Sequence, residues 1–285
     1  MASTKTMQLD TVCGFLSQIA PLKLAESWDN VGLLIGDRKS DIQKIMTCLT
    51  VTPDVVTEAI EQKVDLVVAH HPLPFQPLKR ITSDNLTGKL ILDLIANQIA
   101  VYSAHTAYDS SINGINQQWC HLMGVESSRP LIELEEEGNA QKRKVSQQDN
   151  PAVEVIGSGR FGRLVQEEKL KDLANRAATA IHSHPPRIVG DPEQIIRKVG
   201  FACGSGGSFL SNAIRCGCDA LITGEATFHI CLEAESRGIG LILMGHYASE
   251  RFAMDSMADK LSQEFPNLRV WASQNESDPI LGGLG

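Results

Sequence analysis

The chain has 285 residues, enough for one or two domains and a sizeable core without disulfide support. Apolar residues make up 42% and charged residues 21%, which excludes wholesale disorder. Lys and Arg number 26 against 34 Asp and Glu, and the net charge of −8 disfavours nucleic acid and anionic membrane as non-specific partners.

Residues 8–20 place Leu9, Val12, Cys13, Leu16 and Ile19 at helical spacing and stop at Pro21. Val31 to Ile35 predicts a short strand closed by Gly36, and Lys44 to Val51 a buried one. Pro53 and Asp54 open a helix through Lys63. Asp65 to Ala69 predicts a strand, residues 87–98 a helix and Ala100 to Ala104 a further strand. Residues 133–151 are polar and patternless, as a solvated loop is. Glu154 to Ile156 then predicts a strand, Gly157 to Gly162 a loop whose Arg160 could meet an anion, and Glu167 to Ile181 a helix. Val199 to Cys203, Ala220 to Thr223 and Gly240 to Met244 predict three more strands. The alternation defines an α/β protein with a largely parallel sheet. The expected organisation is an N-terminal α/β lobe over 1–130, a flexible linker over 131–152 and a C-terminal α/β lobe over 153–285.

No apolar run approaches the roughly 20 residues needed to span a bilayer, and Met1 to Asp10 is polar. The seven cysteines are scattered without a Cys-x-x-Cys pair, as reduced and buried thiols are. Both features point to a cytoplasmic protein, with nucleus and mitochondrion left open. Cys216 and Cys218 alone lack two further ligands for a structural zinc.

The chain resembles itself. Ala59-Ile60 superposes on Ala213-Ile214 and Asp65 on Asp219; further on, His105 superposes on His246 and Asp109 on Glu250. Both copies place a histidine and a carboxylate four apart just after an apolar strand. Two similar lobes made by internal duplication are expected, with ligands bound beyond the strand C-termini.

Four motifs sit at such strand ends: His70-His71-Pro72, His105 to Asp109, Glu225 to His229, and His246 to Glu250. Histidine with carboxylate is the usual ligand set for zinc, iron, manganese, cobalt or nickel. Residues four apart share a helix face. Adjacent histidines cannot share a strand face, so His70 and His71 must lie where the strand has ended. A lone histidine is more often a hydrogen-bonded core residue; five or six at equivalent positions reverse that balance. Asp109 and Glu250 bring −2 against the +4 of two divalent ions, a balance that a bridging hydroxide and an anionic substrate could complete. Two ions about 3.5–4 Å apart can activate water and polarise a substrate oxygen. His105, Glu225 and His229 are candidates for proton transfer. His121 is expected on a helix, and His182 and His184 in a surface loop.

Cys203-Gly204-Ser205-Gly206-Gly207-Ser208 follows a strand and opens a helix. Gly204, Ser205 and Gly206 could cradle a phosphate through their amides; a tight turn without a ligand is the plainer reading. The P-loop lysine is absent, as are the nucleophile elbow and the zinc-protease helix motif.

Ser27-Trp28-Asp29-Asn30-Val31-Gly32-Leu33, His70-His71-Pro72-Leu73, Ala104-His105-Thr106-Ala107-Tyr108-Asp109, Asp219 to Glu225, and Gly245-His246-Tyr247-Ala248-Ser249-Glu250 occur in one order along almost the whole chain. As a set they resemble the NGG-interacting factor three family of dinuclear-metal proteins, also labelled type-two GTP cyclohydrolase homologues. The resemblance implies two lobes with a metal pair in the cleft between them, held by His70, His71, Asp109, His246 and Glu250, with Glu250 as a bridge and His105 near the site. It also implies a homohexameric ring. Bacterial members often read His-Thr-Asn-Leu-Asp where this chain has His105-Thr106-Ala107-Tyr108-Asp109; the carboxylate survives. The leading expectation is a metal-dependent hydrolase acting on a nucleotide or phosphate-bearing small molecule. The alternative is a non-catalytic ring-shaped scaffold, or a transcription-linked factor with a protein partner and structural or regulatory metals.

Overall fold

The structure, a computed structural model, describes residues 6–125, 127–134 and 155–280. It divides into two compact units, Met1–Tyr108 with Glu250–Gly285, and Asp109–Ser249. In chain order the first contains α1 (Leu9–Ile19), β1 (Gly32–Ile35), β2 (Lys44–Cys48), α2 (Pro53–Gln62), β3 (Leu66–Ala69), α3 (Leu86–Ala96), β4 (Ala100–Ser103) and the start of α4 (His105–Ser110). The second carries α5 (Ile115–Leu122), β5 (Arg160–Lys169), α6 (Leu170–Ala180), β6 (Arg187–Val189), β7 (Ile195–Ala202), α7 (Leu210–Arg215), β8 (Ala220–Thr223), α8 (Phe228–Arg237), β9 (Gly240–Leu243) and the first turn of α9 (His246–Glu264). The rest of α9 and β10 (Arg269–Ala272) return to the first unit.

The first unit's sheet runs β10-β2-β3-β4-β1, with β10 to β4 parallel and β1 antiparallel at the edge. The second runs β6-β9-β8-β7-β5, with β7, β8 and β9 parallel between two antiparallel edges. Every residue of β3, β4, β8 and β9 is buried, as expected of central strands in a parallel sheet covered on both faces. The first core gathers Met46, Val67, Val101, Leu90 and Leu94; the second gathers Leu221, Leu241, Ala213, Leu210 and Ala234. Helix starts follow their sequence. Thr52 accepts the amide of Val55 before Pro53 at α2, Asn85 accepts that of Gly88 at α3, and Thr227 accepts that of Ile230 at α8.

One clasp recurs in both units. Asp65 Oδ2 accepts the amides of Gln43 and Lys44 at 2.7 and 2.8 Å, and Asp219 Oδ2 accepts those of Arg197 and Lys198, both at 2.8 Å. Lys44 Nζ donates to the carbonyl of Gln62 and Lys198 Nζ to that of Cys216. The aspartates aligned in the sequence thus do the same work, each fixing the start of one strand beside the start of the next.

Several expectations are corrected. The division is discontinuous rather than at 130 and 153, because β10 pairs in parallel with β2 and adds the C-terminal segment to the first sheet. Residues 135–152, most of the expected linker, lie outside the described residues, as does Glu154; Val155 and Ile156 are not in a strand. Ile132–Glu133 pairs with Gly157–Ser158, and β5 begins at Arg160, so Gly157 to Gly162 is mostly strand. Arg160 is buried and donates to the carbonyls of Gly157, Gly159, Ser110 and Ser111, which commits it to the fold rather than to an anion. Glu167 to Lys169 end β5, so α6 starts at Leu170. Among the described residues no helix is long and apolar enough to cross a membrane.

Glu58 anchors the segment beyond β10. Its carboxylate accepts from Trp271 Nε1 (3.1 Å), Ser273 Oγ (2.7 Å) and the amides of Gln274 and Asn275 (both 3.0 Å). Burial pushes its pKa up, but these bonds outweigh burial and hold it below the usual carboxylate value. Glu58→Ala leaves several donors unsatisfied at about 1–3 kcal/mol each. We expect a loss of about 3 kcal/mol in unfolding free energy by chemical denaturation. The ionised group's contribution is full above the unfolded carboxylate pKa and fades as pH falls through the lower folded value. The gap between wild type and variant should therefore narrow in acid; a gap that widens there contradicts the assignment.

Candidate metal centre

The strand ends place the histidines. After β3 the ladder continues for two residues: His70 donates its amide to the carbonyl of Cys48 and His71 to that of Leu49, at 3.0 and 2.8 Å. The His70 carbonyl in turn accepts the amide of His105 and the hydroxyl of Ser103. His105 then opens α4 at φ +24°, a region costly for a residue with a Cβ. Ligand nitrogens of His70, His71 and His105 lie within 4.8 Å of one another. Glu250 faces this group from α9. Its Oε2 is 3.2 Å from His71 Nε2 and its Oε1 is 3.9 Å from His70 Nε2. The side chains of His70 and Glu250 are 0% and 4% exposed, that of His71 23%.

Neighbouring oxygens fix the ring orientations. Thr50 Oγ1 lies 2.7 Å from His71 Nδ1, which leaves Nε2 directed at Glu250. Thr50 is itself held through its amide by Glu276, whose other oxygen takes the Leu49 amide and pairs with Arg251. Asp29 Oδ1 lies 2.7 Å from His105 Nδ1. The same carboxylate, with a fully buried side chain, accepts the amide of Asn30 and both the amide and hydroxyl of Thr106. Burial pushes its pKa up; the bonds from His105 and Thr106 and the charge of His105 prevail and bring it to about 2. Asp29 therefore stays ionised and holds His105 in one orientation.

In the second unit β9 ends at Leu243 and Gly245, at φ +88°, turns the chain into His246. His246 Nδ1 lies 2.9 Å from Glu225 Oε1, which also accepts Ser205 Oγ at 2.6 Å. Glu225 thus orients a histidine, while His229 is exposed on α8 with its ring against Phe228. Asp109 Oδ1 accepts the Cys203 thiol at 3.3 Å, and Asn116 ties that loop down by accepting the Cys203 amide. The glycine turn is densely packed. A Cβ on Gly206 would meet Ala202 Cβ at 2.6 Å, and one on Gly207 would meet Ala226 Cβ at 2.8 Å. The amides of Cys203, Gly204 and Gly207 already bond to Asn116, Ser249 and Glu225. His121 is hydrogen-bonded to Gln117 on α5, and His182 and His184 are exposed, as expected.

Imidazoles with one nitrogen fixed by an oxygen, together with a buried carboxylate, fit a divalent first-row transition ion. His70, His71 and Glu250 could hold one, with His105 standing beside the two histidines. The sequence reading named His70, His71 and Glu250 as ligands and His105 for proton transfer, but missed Asp29 and Thr50. Asp29 lay inside a quoted motif, yet nothing local pairs it with a histidine 76 positions away.

Fold and site define an α/β protein of two units bearing a histidine–carboxylate cluster suited to metal. More particularly, the chain belongs to the DUF34/NIF3 family (NGG1p interacting factor 3), whose profile matches residues 7–279. It is 34% identical to a GTP cyclohydrolase 1 type 2 homolog of Clostridium acetobutylicum, over 96% of this chain and 98% of that one. It is 32% identical to NIF3-like protein 1 of Drosophila melanogaster, over 96% and 89% respectively. The fold matches a Bacillus cereus protein related to NIF3 with a TM-score of 0.86 at 23% identity, covering 98% of this chain and 100% of the other.

Proposed function

We propose that the protein is a metal-dependent hydrolase of a nucleotide or another phosphate-bearing small molecule. The observation that carries this reading is one buried carboxylate, Glu250, presenting a separate oxygen to each of two histidines beside the Asp29–His105 pair. In this reading His70, His71, Asp109, His246 and Glu250 would hold two divalent ions. The spacing supports it: His246 and Glu250 are one turn apart on α9, as His105 and Asp109 are on α4. When bound, such ions polarise a substrate oxygen and lower the pKa of water.

The chain's own groups do the rest. With Nδ1 committed to Asp29, proton exchange with the substrate falls to Nε2 of His105. Glu225 keeps His246 turned to offer Nε2. Ser205 and Gly206 offer amides to a phosphate. The name of the Clostridium relative, a GTP cyclohydrolase homolog, favours a nucleotide. The homohexameric ring belongs to the same reading, and sedimentation tests it. The deciding experiment assays a nucleotide panel with protein loaded in turn with zinc, iron, manganese, cobalt or nickel. Turnover should fall at least about a hundredfold in His71→Ala. Equal turnover by the variant overturns the catalytic role of the cluster.

A further inference from the structure

Two of the chain's exposed aromatic side chains stand together at the histidine cluster. Trp28 is 57% exposed and Phe75 48%, yet their rings lie 5.9 Å apart, and each is 6.0 Å from the ring of His105, edge to face. They are held there. Asp29, next to Trp28, is fixed by Thr106 and His105, and the Glu26 amide donates to Thr106 Oγ1 at 3.0 Å. Asn30 Nδ2 reaches the carbonyl of Pro74 at 2.8 Å, tying the Trp28 loop to the residue before Phe75. Large apolar rings held with about half their surface open leave a face that the fold does not cover, and what that face can receive explains its place.

We propose that Trp28 and Phe75 form a stacking platform for the planar heteroaromatic ring of a small nucleoside-like substrate, with the ring's edge turned to His105. The proposal rests on the reading of the cluster as a reactive site and adds the part of the substrate that the metal ligands do not touch. Indole and phenyl faces take any π-system, so the platform selects for a flat ring without reading its substituents. Selection among rings falls to His105, whose orientation Asp29 has already set. The rings are tilted by 48°, too far from parallel to sandwich a base, so the ring lies on one face and meets the other at its edge.

Trp28 reports on this directly. Of the three tryptophans, Trp119 is 1% exposed and Trp271 is partly buried with Arg269 over its ring. Guanosine and adenosine should quench the emission saturably, with or without added metal, and ribose 5-phosphate should not. In equilibrium dialysis with labelled guanosine, Trp28→Ala and Phe75→Ala should each weaken binding about ten- to a hundredfold, and Trp28→Phe should retain it. Unchanged binding in Trp28→Ala overturns the platform, as does a change of assembly size in that variant without a change in nucleoside binding. Nucleoside binding without turnover of any nucleotide defeats the hydrolase and spares the platform. Turnover of a phosphate compound that lacks a ring, without quenching by nucleosides, does the reverse.

Discussion

Glu250→Ala is expected to leave the protein folded and unable to retain metal at stoichiometry. The carboxylate is 4% exposed and faces Nε2 of both His70 and His71, so its loss removes an anionic group shared by the two rings. Groups that only orient a ligand typically contribute ten- to a hundredfold in metal affinity. A shared ligand should exceed that range. Elemental analysis after dialysis should find metal in the wild type and little in the variant, with competition titration giving a loss beyond about a hundredfold. Thr50→Val is the internal comparison. It removes only the partner of His71 Nδ1 and should stay within the ten- to hundredfold range. Thermal unfolding of the metal-free proteins controls for structure. Removing one partner of a buried ion pair itself costs about 3–5 kcal/mol, and the metal-free unfolding curve separates that loss from the loss of metal. Stoichiometric metal in Glu250→Ala would falsify the ligand assignment.

How far the sequence carried this picture depended on whether the signal was local. The central strands were legible because parallel strands buried on both faces read as unbroken apolar runs, as in Leu66–Ala69 and Ala220–Thr223. The helix start at Pro53 was legible in Pro53 and Asp54, whereas the helix at Phe228, capped by Thr227, was not among the expected elements. His70 and His71 could be placed at a strand end because adjacent side chains on a strand point apart. Edge strands other than β1 were not legible. Arg187–Val189 and Arg269–Ala272 are short and only partly buried, so they lack the apolar run. Missing β10 put the boundary of the first unit in the wrong place. Arg160 illustrates a second kind of failure. A glycine-rich stretch with one arginine suggests an anion loop, and only the fold supplies the four carbonyls that occupy the guanidinium. The orienting oxygens of Thr50, Asp29 and Glu225 are likewise 21 to 76 positions from their histidines. Their pairing is a property of the sheet, not of any motif.

Asp29→Asn separates proton transfer from metal binding. The aspartate meets four donors with two oxygens: His105 Nδ1, the Asn30 amide, and the amide and hydroxyl of Thr106. Asparagine has one oxygen and one amino group for the same places. If the oxygen stays with Thr106, the amino group meets His105 Nδ1 and forces that nitrogen to accept. The ring proton then moves to Nε2, where a base must be able to take one. If the oxygen stays with His105, the two Thr106 donors lose their acceptor, and the turn that begins at φ +24° loosens. Either way the general acid–base contribution is lost, worth about 10²–10⁴ in rate. With any nucleotide that the wild type hydrolyses, kcat should fall by at least about a hundredfold. Metal should remain bound, since Asp29 is not a ligand, and guanosine binding should fall by less than in Trp28→Ala, since Asp29 holds the Trp28 loop but is not one of the stacking rings. Nitrogen chemical shifts of the His105 ring distinguish the two arrangements. A variant in which the ring tautomer switches and kcat does not change removes His105 from the chemistry and leaves Asp29 a structural role alone.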